Sequence, residues 1–302
     1  MFSQVIECIP NFSEGKDENK LKRIIAPFYE DPEIKVLDYS LDADHNRAVV
    51  TVIGTYEGLK RTVPRVIGSA QKEIDLREHK GAHPRMGATD VCPFVPIRNT
   101  DMATCIRLAA EVAEMVAAEY AIPVFLYEKS ATDPERENLA RIRKGEFEGM
   151  AEKMSAAEWK PDFGPDQPHP SAGVTAIGAR MPLIAYNINL GTSDLAIADQ
   201  IARRVRFVGG GLRYVKAMAV PLEARNIVQV SMNMTDYTKS SLYQIFELVK
   251  VEARRFGVPV VGSEIVGLSP LEALLDVATY YLRLEGFNTD QVIEARLLDD
   301  GE

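Results

Sequence analysis

The sequence is poor in the residues that fasten secreted or metal-built proteins. It has three cysteines in 302 residues, Cys8, Cys92 and Cys105, an odd number with no C-x-x-C pair. That excludes a disulfide framework or a zinc cage as the organising device. Each cysteine lies in an apolar run, where a thiol behaves as a small hydrophobe. Long hydrophobic runs are missing, so no segment reads as membrane-spanning. The opening MFSQVIECIPNFSEG has no basic stretch ahead of an apolar core, so no signal peptide is read, and a reducing cytoplasm is the expected setting. Positive charge is short: 35 Lys and Arg stand against 44 Asp and Glu, a net charge of −9. Nucleic acid and anionic membranes need a basic face, so neither is expected as a partner. An anionic small molecule remains open, if basic groups gather locally.

Apolar residues make up 46% of the chain and charged residues 26%, which suits a packed globular protein of one large domain or two ordinary ones. QVIECIP reads as a buried strand, NFSEG as a turn, and DENKLKRIIAPFYE as a helix. EIKVLDYSL and RAVVTVIG read as strands around the polar connector DADHN. Two more helices and two more strands extend the first half to β-α-β-β-α-β-α-β. The strongest of these helices, DMATCIRLAAEVAEMVAAEYA, has Asp101 as its cap. Residues 145–173, dense in Pro, Gly and Asp, read as a linker or a long ordered loop. The second half then repeats the order β-α-β-β-α-β-α; its helix TSDLAIADQIARRV opens on a Thr or Ser cap, and Pro221 marks an edge strand. The expected fold is α+β: two ferredoxin-like subdomains, residues 1–178 and 179–302, with mainly antiparallel sheets and helices on their outer faces. The interface between lobes is a favoured place for a ligand.

Two of the four histidines, His79 and His83, fall in REHKGAHPRMGATDVCPF among Arg77, Lys80 and Arg85. Gly81, Gly87 and the Pro after His83 are loop chemistry. Imidazole passes protons near neutral pH, and the cations suit anionic groups. The plain alternative is an exposed basic loop with incidental histidines. Metal binding by the pair lacks a third ligand, so no metal is expected. Asp42, Asp44, His45, Asn46 and Arg47 form a second cluster that reads equally as a polar hairpin turn. DFGP lacks the other kinase signatures, and the GGG at 209–211 lacks the GK[ST] of a phosphate loop.

IECIPNFSEG, HKGAHPRMGATDVCPF, WKPDFGP, IGARMPLIAYNINL and VPVVGSEIVGLSPLEALL together resemble the formiminotransferase domain over essentially the whole chain. That domain forms the N-terminal part of animal formimidoyltransferase-cyclodeaminases and stands free in several bacteria; no cyclodeaminase part is expected here. The resemblance implies two α/β-type subdomains with facing sheets and folate between them. It implies transfer of a formimino group from N-formimino-L-glutamate to tetrahydrofolate as co-substrate, giving 5-formiminotetrahydrofolate and glutamate in histidine degradation, by a cytoplasmic homodimer. It places the catalytic histidine at His83. It places folate contacts on Gly164, Pro165, Asp166, Gln167, Pro168, His169, Pro170, Ser171, Ala172 and Gly173. The two carboxylates of formiminoglutamate need cations, for which Arg47, Lys80 and Arg85 are the candidates. Asp42 or Asp44 would orient an imidazole or hold the cationic formimino group. A 5-formyltetrahydrofolate-processing enzyme on the same scaffold and a non-catalytic folate-binding protein are the alternatives.

Overall fold

The computed structural model describes residues 2–298. The chain divides into two compact units, with the division between Arg180 and Met181. The first unit runs β1 (Val5–Cys8), β2 (Asn11–Phe12), α1 (Glu18–Glu30), β3 (Ile34–Asp42), β4 (Arg47–Gly54), α2 (Tyr56–Glu73), β5 (Thr89–Arg98), α3 (Met102–Tyr120), β6 (Val124–Glu128), α4 (Leu139–Arg143), α5 (Glu146–Met154) and β7 (Thr175–Ala179). These strands make one mixed sheet. β3 pairs with β4, β4 with both β1 and β2, and these with β5, all antiparallel. β5, β7 and β6 then run parallel, because α3 and the long return from β6 are crossover connections. Mainly antiparallel pairing therefore describes the β3-to-β5 side of this sheet only.

Asn11 and Phe12 are strand where the sequence suggested a turn. Pro10 interrupts the strand without ending it, and β2 resumes in the same lane between β4 and β5. α1, α2 and α3 cover one face of the sheet, packing Ile24, Val63, Leu108 and Val112 against Val50, Val52, Cys92 and Phe94. Asp101 does cap α3, accepting from the Thr104 N–H at 2.8 Å. At the parallel end the opposite face is covered as well, by Ile142, Met150 and Met154 on Phe125, Tyr127 and Ala176. That is why β7 is buried along its whole length.

Residues 145–173 are not a bare linker. They begin with α5, and the rest is ordered by Asp162, which accepts from the Leu126 N–H at 2.8 Å and from Arg136 Nη1 at 2.9 Å. Arg136 also donates to the carbonyls of Glu158 and Lys160 at 3.0 and 2.6 Å, and both charged side chains are buried.

The second unit runs β8 (Ile184–Leu190), α6 (Leu195–Val205), β9 (Val215–Leu222), β10 (Ile227–Met234), α7 (Leu242–Arg254), β11 (Val260–Val266), α8 (Leu271–Leu282) and α9 (Ile293–Leu298). Its sheet is antiparallel, in the order β11-β8-β10-β9, so β9 with Pro221 is an edge strand. Alternate residues Ile184, Ile188, Val228 and Val230 face Ile201, Ile245 and Val249 of α6 and α7. Asp194, rather than a Thr or Ser, caps α6 by accepting from the Ala196 N–H at 2.9 Å. Among the described residues no helix is long and apolar enough to cross a membrane.

Candidate active site

The connector between β3 and β4 and the loop before β5 form one structure. Asn46 closes the connector in the left-handed region, at φ 50°, a conformation asparagine tolerates. Its Oδ1 accepts from the Gly15 N–H and its Nδ2 donates to the Lys80 carbonyl, both at 2.9 Å. The Ala82 N–H donates to the Asp44 carbonyl at 3.1 Å. Gly81 permits this approach, since a Cβ there would stand 2.3 Å from the His45 carbonyl oxygen. His79 Nε2 lies 2.9 Å from the Asn46 carbonyl. A carbonyl only accepts, so Nε2 carries the proton and Nδ1 is free to accept from Arg85 Nε at 3.2 Å.

The clamp opens a cleft of about 190 Å³, mouth included, lined by Phe12, Ser13, His45, Asn46, Arg47, His79, His83, Arg85 and Asp90. Its enclosed part is only about 10 Å³, room for a group the size of a water molecule rather than a whole folate. Arg47 sits at the start of β4 and donates from Nη1 to His83 Nε2 and from Nη2 to Asn11 Oδ1. Arginine offers donors only, so His83 Nε2 accepts and the ring proton is on Nδ1. Burial, together with the Arg47 and Arg143 cations, pushes the His83 pKa down to about 4, leaving a neutral imidazole at pH 7. Asp90 fixes the far side, accepting from the Met86 N–H at 2.8 Å and from Arg143 Nη2 at 2.5 Å.

A second imidazole stands at the rim. His45 places Nδ1 2.7 Å from Asp42 Oδ2, and its backbone N–H donates to Asp42 Oδ1 at 2.9 Å. These bonds hold the Asp42 carboxyl below its usual range. The His45 and His83 rings lie 6.4 Å apart, edge to face.

Of the residues expected to meet substrate, Arg47 and Arg85 line the cleft. Arg85 is already held by acids: it donates to Glu148 at 2.6 and 2.8 Å and to Glu146 at 3.2 Å. Asp42 acts through His45. Lys80 and Asp44 supply backbone carbonyls to the clamp, and both residues are exposed. The stretch Gly164–Gly173 lines no part of this cleft. Gly164, Pro165, Asp166 and Gln167 are exposed, while Ala172 and Gly173 are buried behind the loop. The Leu76 and Ala88 N–H groups donate to the carbonyls of Ser171 and Ala172 at 2.8 and 2.9 Å, so this stretch props the His83 loop from below.

Asn11, Asp90 and Arg143 escaped the sequence reading. Asn11 and Asp90 lie inside the quoted segments IECIPNFSEG and HKGAHPRMGATDVCPF, which is the signal that could have found them. Arg143 arrives from α4 and has no such mark. Among the described residues no group of three or more His, Cys, Asp or Glu is placed to hold a metal ion.

Comparison with known proteins bears on the whole chain. The family model described as "Formiminotransferase domain, N-terminal subdomain" matches residues 5–180, and "Formiminotransferase domain" matches residues 185–297. A glutamate formimidoyltransferase of Streptococcus pyogenes serotype M1 is 50% identical, covering 98% of this chain and 99% of that one. Another, of Thermoplasma acidophilum, is 45% identical over 97% of each chain. A formimidoyltransferase-cyclodeaminase of Dictyostelium discoideum is 40% identical over 98% of this chain and 56% of its own length.

Proposed function

Because this chain belongs to the formiminotransferase domain family, we propose that it is a glutamate formimidoyltransferase whose reacting centre is the His83 cleft. It is a transferase of one-carbon groups, moving the formimino group of N-formimino-L-glutamate to N5 of tetrahydrofolate. The observation that carries the assignment of the centre is a neutral His83 whose Nε2 lone pair faces Arg47 inside a narrow cleft.

The chemistry asks for two proton movements. N5 attacks the amidine-type carbon, a tetrahedral intermediate forms, and the C–N bond to glutamate breaks. His83 takes the proton that N5 loses. In the free enzyme Arg47 holds the Nε2 lone pair. A substrate carboxylate draws the guanidinium to itself, which frees the base only when formiminoglutamate is bound. His83, protonated on Nε2 by that transfer, then gives the proton to the departing glutamate amine, so one imidazole serves as base and then as acid. Acid–base help of this kind contributes roughly 10²–10⁴ in rate, and bringing two substrates together adds an orientation effect of its own. The same reading makes tetrahydrofolate the co-substrate, brought to the cleft with the Gly164–Gly173 stretch on its path. It also makes the protein a cytoplasmic homodimer of histidine degradation, needing no metal.

The test mixes the purified protein with tetrahydrofolate and formiminoglutamate and converts 5-formimino product with acid to the coloured methenyl form. Colour that depends on formiminoglutamate supports the reading. Absence of colour with active-site concentrations of enzyme would sink it.

A further inference from the structure

The proposed reaction turns His83 into an imidazolium, and the walls around it already hold two cations. Arg47 faces it from β4 and Arg143 from α4, and both charges oppose the arrival of a proton. His45, bonded to Asp42, stands 6.4 Å away on the connector. Another positive charge in so buried a place is costly. One group offsets it. Of the described residues that line the cleft, Asp90 of β5 is the one acid, and its charge favours the proton on His83.

Asp90 is held in this place from two sides. Oδ1 accepts from the Met86 N–H at 2.8 Å and Oδ2 from Arg143 Nη2 at 2.5 Å, so both oxygens are engaged and the carboxylate reaches the imidazole through its field. Met86 lies three residues after His83, so the same bond holds the loop that carries the base. The side chains of Asp90 and Arg143 are 4 and 14% exposed. Arg143 Nε is buried without a partner, so the guanidinium does not grip the carboxylate with both of its edges. A buried pair bonded in this way gains little over apolar residues of the same volume, and stability alone does not account for it. Catalysis does. With formiminoglutamate bound, a substrate carboxylate answers Arg47 and Asp90 answers Arg143, so the charges beside the base balance when the proton arrives.

We propose that Asp90 is a positioning residue of the transfer, the counter-charge of the imidazolium that His83 becomes; the inference rests on the proposed function for the proton that His83 takes.

Arg143→Gln, alone and together with Asp90→Asn, tests this in the full chain. The asparagine keeps an oxygen for the Met86 N–H, and the glutamine offers its amide a partner, so the double variant strands no buried charge of the pair. In Arg143→Gln alone, Arg47 still supplies the carboxylate with a neighbouring cation. The chain's four histidines give four imidazole signals in a heteronuclear NMR titration, and His83 is the one missing from His83→Ala. Its wild-type titration is expected near pH 4. Arg143→Gln should move it up by roughly one pH unit or more, and adding Asp90→Asn should bring it down again by about as much. At neutral pH the double variant should have a kcat roughly tenfold or more below that of Arg143→Gln, with KM for formiminoglutamate within about twofold. A carboxylate that only holds the loop would leave the titration in place, because the asparagine holds Met86 as well. A His83 titration that ignores Asp90→Asn, or rises with it, overturns the proposal, and so does a kcat that the second substitution leaves unchanged. The titration needs no turnover, so a protein whose His83 follows Asp90 but which transfers nothing would fail the proposed function alone.

Discussion

Two stretches of the first unit are built from the same letters and bonded in opposite ways. Residues 79–88 and 164–173 are both rich in Gly and Pro, and each holds a His-Pro pair, His83–Pro84 and His169–Pro170. In the first, His83 Nε2 accepts directly from the Arg47 guanidinium in the wall of the cleft. In the second, His169 Nδ1 accepts from the N–H groups of Ala172 and Ser171 at 3.0 and 3.3 Å, so its lone pair closes a turn. A backbone turn takes up the lone pair of one loop histidine, and a side chain that can move takes up that of the other. Arg47 and Arg85 repeat the lesson among cations: both line the cleft, yet two carboxylates already hold Arg85.

The contrast is broken most directly at the two histidines. His83→Ala should lower kcat by roughly 10²–10⁴ with its circular dichroism unchanged, whereas His169→Ala should stay within about threefold of wild-type kcat. Equal losses in the two would abolish the distinction. The support beneath both loops is next. Asp162→Ala leaves Arg136 buried without its partner and should lower the unfolding free energy by about 3 kcal/mol or more, read from urea midpoints at constant m. A shift under a tenth of that would show that the pair does not order the 155–173 segment.

The arginines give a smaller effect. Arg47→Ala should raise KM for formiminoglutamate by roughly tenfold or more, and Arg85→Ala should change stability more than KM. The reverse pattern would exchange their roles. The finest test is pH. His83 takes its proton near 4 when folded, against about 6.5 in an unfolded chain. Between these values the unfolded state binds more protons, so the His83 contribution to stability is complete above about 6.5 and is lost as pH falls towards 4. The acid limb of kcat/KM in the wild type should lie near pH 4. Removing a neighbouring cation raises a histidine pKa, so Arg47→Gln should move that limb upward; a limb that stays in place would remove Arg47 from the electrostatics of the base.

Much of this protein is local and therefore legible along the chain. Helical spacing and an aspartate cap marked α3, Pro221 marked an edge strand, and the segment HKGAHPRMG marked the loop that carries His83, because caps, periods and turn residues act within a few positions of themselves. Family membership was legible for the same reason, in ordered segments quoted across the whole length. Partner choice was not. Whether Arg47 meets a histidine and Arg85 two glutamates depends on where β4, the loop and α5 are carried by the sheet. Asn11 meets Arg47 because its strand resumes beyond Pro10, in a lane set by β4 and β5. The residues 155–173 became an ordered support through Asp162 and Arg136, 26 positions apart. Hydrogen bonds and ion pairs act over about 3 Å of space and are blind to sequence distance, so only the tertiary structure decided which polar atoms met which partners.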